Sequence, residues 1–287
     1  MDTKSGLSGY GGEAPAAPVD VLWSHRCSWA DLLAPVDVSG GRAGLDLSPG
    51  WESRWSVTWR TTSEELTRSV EELVRYGLRE FAPMRVFTWR REQGHRPGLP
   101  FVQSTGRLHG AESMEEARFL LALDFAGEVT EVVSQPFRMR FGGAVRERPH
   151  TPDYLVRTRT GVWLIDVRPA ELIFEKDRES FAAAAELARV CGWGFAVVGG
   201  WLPHTMMTLD WLSSRRRPMT DPLRLEATLL AEAAVGGRTF GELAARTPFP
   251  PVARAHLLHL LWHRRLGLDL RVPLGDGSVI VMGKVSP

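Results

Sequence analysis

The sequence predicts an α/β fold in its central part, followed by a smaller domain of helices and one β-hairpin. Between residues 112 and 201, apolar runs with the two-residue period of strands alternate with segments of helical period. After residue 221, three helical segments precede two strand-like runs around a Gly-Asp-Gly turn. We therefore divide the chain into the segments 1–18, 19–110, 111–212, 213–220 and 221–287.

The first two segments precede the α/β region. Residues 1–18 are rich in Gly, Ala, Ser and Pro, which predicts disorder. Segment 19–110 is rich in tryptophan and is expected to pack on the core as an extension. Within it, apolar residues at helical spacing predict a helix over residues 63–81 with Ser63 as its N-cap. Residues 93–100 combine Gly and Pro with polar side chains and predict a loop.

The central segment, 111–212, alternates helices and strands. Ser113 is the predicted N-cap of the first helix, and a hairpin is predicted to turn at residues 158–161. In order, the predicted elements are a helix over 113–125, strands over 129–134 and 137–141, the two hairpin strands, a helix over 174–191 and a strand over 194–198.

The C-terminal part has the pattern of a winged-helix domain, three helices followed by a two-stranded wing. Residues 213–220 are basic and contain proline, which predicts a linker. Asp221 followed by Pro222 predicts the start of a first helix. The predicted elements are helices over 221–235, 240–246 and 252–265, and wing strands over 268–274 and 278–282.

Composition excludes several classes of protein. With 44% hydrophobic and 24% charged residues, the chain has the composition of a soluble globular protein. No apolar stretch approaches the roughly 20 residues that cross a bilayer, so we expect no membrane contact. Cys27 and Cys191 are far apart and outside any CxxC motif, which argues against a disulfide framework and favours the cytoplasm.

Basic residues are clustered although the net charge is only +1. Because only three of the 35 basic residues are lysines, the chain uses arginine at most cationic positions. Clusters of this kind can neutralise phosphates, and they can also be solvated faces. The predicted clusters lie at 85–96, 138–148, 215–217 and 263–265.

The two aspartates of the hairpin are the most informative residues. If the turn is centred between residues 159 and 160, Asp153 lies opposite Asp166. Directly opposed side chains have Cβ atoms about 4.5–5.5 Å apart, so two carboxylates there repel each other. A divalent cation such as Mg²⁺ or Mn²⁺ between them would remove this repulsion, lower the pKa of a bound water and stabilise charge on a scissile phosphate.

Several other residues are candidates for the same site. By strand alternation Arg168 points the same way as Asp166 and is expected to orient the attacking water or hold the phosphate. Glu116 is the best third acid, yet Ser113-x-x-Glu116 equally fits a capping box that would occupy its carboxylate. His150 precedes the Pro-Asp pair and is positioned to hydrogen-bond an acid or a phosphate.

Three histidines share the last predicted helix. His256, His259 and His263 have no cysteine or acidic residue near them at metal-ligand spacing. We therefore interpret them as polar or partner-facing positions rather than as zinc ligands.

At these residues the chain resembles the TnsA-like endonuclease subunits of heteromeric transposases, which belong to the PD-(D/E)xK restriction-endonuclease-like superfamily. The resemblance covers most of the chain from about residue 80 and rests on the order and spacing of short motifs. The matching residues are Pro83-Met-Arg85, Pro97-Gly98, Glu112-Ser-Met-Glu-Glu116, Ser134-Gln-Pro-Phe137, His150-Thr-Pro-Asp153-Tyr, Asp166-Val-Arg168-Pro169, Gly192-Trp-Gly-Phe195 and His259-Leu-Leu-Trp262.

The resemblance implies a restriction-endonuclease-like mixed sheet flanked by helices and a small C-terminal winged-helix-like domain. It also implies an Mg²⁺- or Mn²⁺-dependent endonuclease that cuts double-stranded DNA at the ends of a mobile element, together with a DDE-type, TnsB-like transposase. Glu116, Asp153 and Asp166 would bind the metal, and Gln135 would have a structural role.

Arg168 departs from the family pattern, which has lysine at this position. Arginine stays protonated, so it holds phosphate but relays protons poorly. Lys176 is an alternative cation on the following helix. The departure leaves open a nuclease-like adaptor without activity that binds the transposase and DNA. A transcription regulator is a third hypothesis, although residues 252–265 are rich in Leu and His rather than in base-reading side chains.

Overall fold

The computed structural model describes residues 21–76, 81–85, 98–143 and 146–283. The chain forms mixed α/β structure with two four-stranded sheets and a helical C-terminal part. The predicted disordered segment 1–18 and most of the predicted loop 93–100 lie outside these ranges.

The strands are β1 (Ser56–Arg60), β2 (Glu65–Ser69), β3 (Phe101–Val102), β4 (Arg107–Leu108), β5 (Val129–Ser134), β6 (Phe137–Gly142), β7 (Glu147–His150), β8 (Tyr154–Thr158), β9 (Val162–Val167), β10 (Gly194–Val198), β11 (Leu266–Gly267) and β12 (Val281–Met282). The α-helices are α1 (Trp51–Arg54), α2 (Val70–Leu73), α3 (Met114–Ala126), α4 (Glu175–Val190), α5 (Thr205–Ser213), α6 (Leu225–Ala234), α7 (Phe240–Ala245) and α8 (Pro250–Trp262). The predicted central helices and strands are therefore confirmed to within two residues, whereas α5 was not predicted.

The central sheet has the strand order β10-β9-β8-β5, in which β9 and β10 are parallel and the other pairs antiparallel. Alternation along β8 and β9 sends side chains to both faces. On one face Leu155 and Leu164 pack in a cluster with Ala184 of α4. On the other face Ile165 packs in a cluster with Phe119 of α3. The sheet is thus covered by a helix on each face.

The second sheet has the order β2-β1-β6-β7 and is antiparallel throughout. Val57, Trp59 and Met139 are buried in one cluster with residues of α4 and the central sheet. The chain passes from β5 to β6 through Gln135, which has a left-handed φ of 46°. This bend places two consecutive strands in different sheets.

The helix predicted over 63–81 is wrong for the residues that the structure describes. Of the described residues in this range, 65–69 form β2, which pairs with β1, and only α2 is helical. The run Val57-Thr58-Trp59 has high β propensity, and β1 gains a second partner in β6. Ser69, not Ser63, is the N-cap, and it forms a capping box with Glu72.

The C-terminal helices differ from their predicted bounds. Helix α6 begins at Leu225 rather than at residue 221, and the Asp221 carboxylate accepts the N–H groups of Leu225 and Glu226 at 2.8 and 2.9 Å. Helix α8 ends at Trp262 because the chain turns at Arg264, whose φ is 59°.

The predicted wing of 268–274 with 278–282 is also wrong. Only β11 and β12 pair, two residues each. The intervening chain is bound instead by the N-terminal stretch: Ser24 N–H donates to the Leu268 carbonyl at 2.9 Å, and Leu270 N–H to the Leu22 carbonyl at 2.9 Å. Backbone groups satisfied in this way are no longer available for a hairpin.

Among the helices of residues 21–76, 81–85, 98–143 and 146–283, none combines the length and the apolar character that crossing a bilayer requires.

The close approach of residues 41–44 to α4 gives a test of the packing. A Cβ at Gly41 would lie 2.1 Å from the backbone carbonyl oxygen of Arg178, which cannot move without distorting α4. We expect Gly41→Ala to lower the free energy of unfolding by about 1–3 kcal/mol, as overpacking does. Urea unfolding measures this change. Gly161→Ala, where a Cβ meets no atom within 4 Å, is the control and should leave stability nearly unchanged.

Candidate functional site

The hairpin register places the two aspartates at the end of the β8–β9 ladder. Leu155 pairs with Leu164, as predicted, and the last pair is Tyr154 with Ile165. Asp153 lies one residue before β8, where the chain bends. Its N–H donates to the Ile165 carbonyl at 3.1 Å, so the backbone remains attached to β9 at this point.

The Asp153 carboxylate is fixed by the backbone of β9. Its Oδ2 accepts the Val167 N–H at 2.7 Å, which leaves Oδ1 free of any bond within the described ranges. Asp153 is half-buried. A carboxylate held by a main-chain donor cannot rotate away from its neighbour, so this hydrogen bond determines where the negative charge lies.

Asp166 lies inside the central sheet and is 3% exposed. Its strand is flanked on both sides, since Val197 of β10 pairs with it and β8 lies on the other side. His150, at the end of β7, places Nε2 3.1 Å from Asp166 Oδ2. The predicted hydrogen bond of His150 with an acid is thus present, and it joins the two sheets.

Burial is the main reason that the pKa of Asp153 is raised well above its usual value, and the charges of Asp166 and Glu116 raise it further. The hydrogen bond from Val167 acts in the opposite direction without offsetting them. The hydrogen-bond donors of the site therefore do not fully stabilise the negative charges of Asp153, Asp166 and Glu116. A proton or a metal cation would supply the missing positive charge.

Glu116 is occupied by the start of its own helix. Ser113 Oγ accepts the Glu116 N–H at 3.1 Å and donates to Glu116 Oε1 at 2.9 Å, and Glu112 N–H donates to Oε2 at 2.9 Å. These bonds occupy the carboxylate at the start of α3. The backbone N–H that it accepts is that of Glu112 rather than that of Ser113, so the reciprocal bond of the predicted capping box is not formed. Burial raises the pKa of Glu116, against the lowering effect of these hydrogen bonds.

A closed three-carboxylate cage is absent from the described part of this centre. Glu116, Asp153 and Asp166 do not place three ligand atoms within 4.8 Å of one another. Asp153 and Asp166 each keep one oxygen outside their hydrogen bonds, which gives a two-carboxylate set of hard oxygens. Such a set suits Mg²⁺ or Mn²⁺, which take waters or substrate oxygens as their remaining ligands.

Arg168 turns toward the start of α4. Its Nε donates to the Leu172 carbonyl at 3.1 Å, and its Nη2 lies 3.8 Å from Asp177 Oδ2. Within the described ranges its guanidinium has no contact with Asp153 or Asp166. The predicted direction toward Asp153 is therefore wrong, because β9 ends at Val167 and strand alternation stops there.

The other two predicted residues have clear positions. The Lys176 ammonium lies 5.9 Å from the centre of the Phe174 ring, on the first turn of α4. Gln135 is 4% exposed, and its N–H donates to the Asp153 carbonyl at 2.6 Å. This main-chain bond holds the backbone of Asp153 at the bend between the sheets.

Two residues of the matching motifs, Tyr154 and Ser134, also support the site, through contacts that no sequence pattern indicates. The Tyr154 hydroxyl donates to the Gly110 carbonyl at 2.8 Å and lies 3.4 Å from Glu116 Oε2. Ser134 Oγ donates to the same carbonyl at 2.9 Å. These bonds tie the start of α3 to the central sheet, and only the tertiary structure reveals them.

Neither a protein-family model nor a curated protein matches the chain.

The raised pKa of Asp153 predicts how stability depends on pH. Below the unfolded value of about 3.9 the side chain is protonated in both states, and stability falls as pH rises through the higher folded value. Without divalent metal at pH 7, we expect Asp153→Asn to raise the thermal midpoint by a few degrees. The gain should disappear below about pH 4.

The control for this measurement is Asp46→Asn, at an exposed carboxylate whose pKa is lowered by hydrogen bonds from Ser48. This variant should not be stabilised at pH 7. An equal gain in both variants would show that the change at Asp153 does not arise from its buried charge.

Proposed function

We propose that the chain is the metal-dependent DNA endonuclease subunit of a heteromeric transposase, hydrolysing strands at transposon ends. The observation that carries the proposal is the Asp153 carboxylate, held beside Asp166 by the Val167 N–H with its pKa raised. Within the described residues no arginine or lysine pairs with either acid, and buried acids kept together in this way are typical of catalytic centres.

The proposal includes a restriction-endonuclease-like core and a winged-helix-like domain. The order α3, β5, β8, β9, α4, β10, with acids at the β8–β9 ends, supports the first assignment. Helices α6 to α8 with the short β11–β12 pair support the second. The proposed partners are a DDE-type, TnsB-like transposase and double-stranded DNA, in the cytoplasm.

In the proposed reaction, Asp153 Oδ1 and Asp166 Oδ1 would hold Mg²⁺ or Mn²⁺. Bound there, the cation would lower the pKa of a water and offset charge on the scissile phosphate. The water oxygen would attack phosphorus in line as one P–O ester bond breaks. The proton that the water gives up would balance the proton that the leaving oxygen takes up. His150 orients Asp166 by its 3.1 Å contact.

Exposed arginines would bind the DNA backbone. Arg138 and Arg140 are exposed on β6, two residues apart and hence on one face of the second sheet. Arg168 has a side chain 40% exposed and is the cation nearest to Asp166 in sequence. Arginine in such positions recognises phosphate oxygens without reading base sequence.

A catalytically inactive adaptor is the second candidate function, and two observations favour it. The Arg168 guanidinium contacts Leu172 and Asp177 rather than the aspartate pair. Both oxygens of Glu116 accept hydrogen bonds from the start of α3. On this alternative the nuclease-like core would bind the transposase and DNA without cutting.

Cleavage tests the leading proposal. The purified chain, its transposase and a duplex carrying the element ends should produce Mg²⁺-dependent nicks. We expect Asp153→Asn and Asp166→Asn each to reduce the rate by about a hundredfold or more, the scale for removing a group that stabilises charge in the transition state. Asp210→Asn, at an exposed acid of α5, is the control and should cleave normally. Undiminished cleavage by both active-site variants would refute this assignment.

Calorimetry with Mn²⁺ separates the enzyme from the adaptor. An active centre should bind Mn²⁺ at millimolar or lower concentration, and Asp153→Asn should abolish that binding because it removes a charged ligand. If titration with Mn²⁺ gives the same heat of binding for the wild type and for Asp153→Asn, the result would favour the adaptor.

A further inference from the structure

A second cluster of metal-ligating side chains lies in the C-terminal part, at the junction of α6 and α8. One ligand atom from each of Asp221, Glu226 and His256 lies within 4.8 Å of one atom of each of the others. It is the one group of three such residues found in the described ranges. The interpretation of His256 as lacking acidic partners is therefore wrong, since Glu226 in the first turn of α6 and Asp221 just before that helix both approach it.

The distances in this cluster approach those of a metal site. Two ligands of a tetrahedral zinc ion are separated by about 3.4 Å, given bonds of about 2.1 Å. Glu226 Oε1 lies 3.4 Å from His256 Nδ1, which is the separation of two ligands of one ion. Asp221 Oδ1 lies 3.8 Å from the other ring nitrogen, His256 Nε2. A metal takes one nitrogen of His256 and leaves the N–H of the other to face a carboxylate, an arrangement common around zinc.

His259, one turn along α8, adds a fourth group whose orientation is independently fixed. Its Nδ1 lies 2.7 Å from the Arg215 carbonyl oxygen, which can only accept, so Nδ1 carries the proton. In the neutral ring Nε2 then presents a lone pair, and it lies 4.0 Å from Glu226 Oε1. A histidine whose second nitrogen donates to a backbone carbonyl is the usual form of a metal-ligating histidine.

Charge and burial favour a cation at this place. His256 is 2% exposed, between two carboxylates. Arg265 contacts only the far oxygen of Glu226, with Nη1 2.8 Å from Oε2, and leaves Oε1 directed at the histidines. The Asp221 oxygens accept helix N–H groups, but each carboxylate oxygen retains a further lone pair.

We propose that Asp221, Glu226 and His256, with His259 in reach, form a binding site for a divalent transition metal, zinc above all. Imidazole nitrogen combined with carboxylate oxygen suits Zn²⁺ and its neighbours rather than Mg²⁺. The ion would fasten the start of α6 to α8. Through the His259–Arg215 bond it would also hold the segment between α5 and α6. The proposal is independent of the nuclease function.

The test uses the full chain with Asp153→Asn and Asp166→Asn, so that binding cannot arise from the central acids. Metal-free protein is titrated with Co²⁺, whose visible absorption reports coordination by protein ligands, and then with Zn²⁺. We expect about one Co²⁺ per chain, displaced by Zn²⁺, and a higher thermal midpoint with Zn²⁺. Glu226→Gln and His256→Gln should each weaken Zn²⁺ binding at least tenfold.

His204→Gln is the matched control, because His204 is exposed at the start of α5. This variant should bind Zn²⁺ like its parent. Since His256 is buried, circular dichroism checks folding, and Glu226→Gln decides the result if His256→Gln does not fold. Absence of binding in the parent, or binding that Glu226→Gln leaves unchanged, would overturn the proposal.

Discussion

The hydrogen bond from the Val167 N–H to Asp153 Oδ2 determines the geometry of the whole centre. It crosses from the end of β9 to the residue before β8, and so holds one carboxylate against the strand that carries the other. Burial and the charge of Asp166 make the ionised form of Asp153 unfavourable. When both aspartates are ionised, the pair carries an excess of negative charge, and a bound cation would stabilise it.

The second sheet completes the centre although it contains neither aspartate. Gln135 sends the chain out of the central sheet, and β6 and β7 return it so that His150 reaches Asp166. Because β6 also pairs with β1, residues far upstream stabilise the strand next to the one that carries His150. Substitutions that destabilise the β1–β2 hairpin would therefore affect the position of His150 and its contact with Asp166.

The sequence predicts correctly those features that depend on interactions between residues close together in the chain. Strand period and turn length gave the pairing of Leu155 with Leu164, and Ser113 was recognised as a cap. The predictions that are wrong concern segments whose partners lie far away in the sequence. Strand β1 is stabilised by β6, about 80 residues away, and residues 268–270 bind a stretch near the N-terminus. The carboxylates that face His256 are 30 and 35 positions distant in sequence, so no spacing rule could connect them.

The two acidic clusters differ in the metal that their chemistry favours. The central one offers hard carboxylate oxygens beside a histidine already bound to Asp166, whereas the C-terminal one offers imidazole nitrogen as a ligand. Most N and O sites bind Zn²⁺ more tightly than Mn²⁺, so affinity alone would not keep zinc out of the central site. With only two carboxylates as ligands, the central site favours an ion that takes waters or phosphate oxygens as its remaining, labile ligands. Geometry rather than affinity would then assign each ion to its cluster.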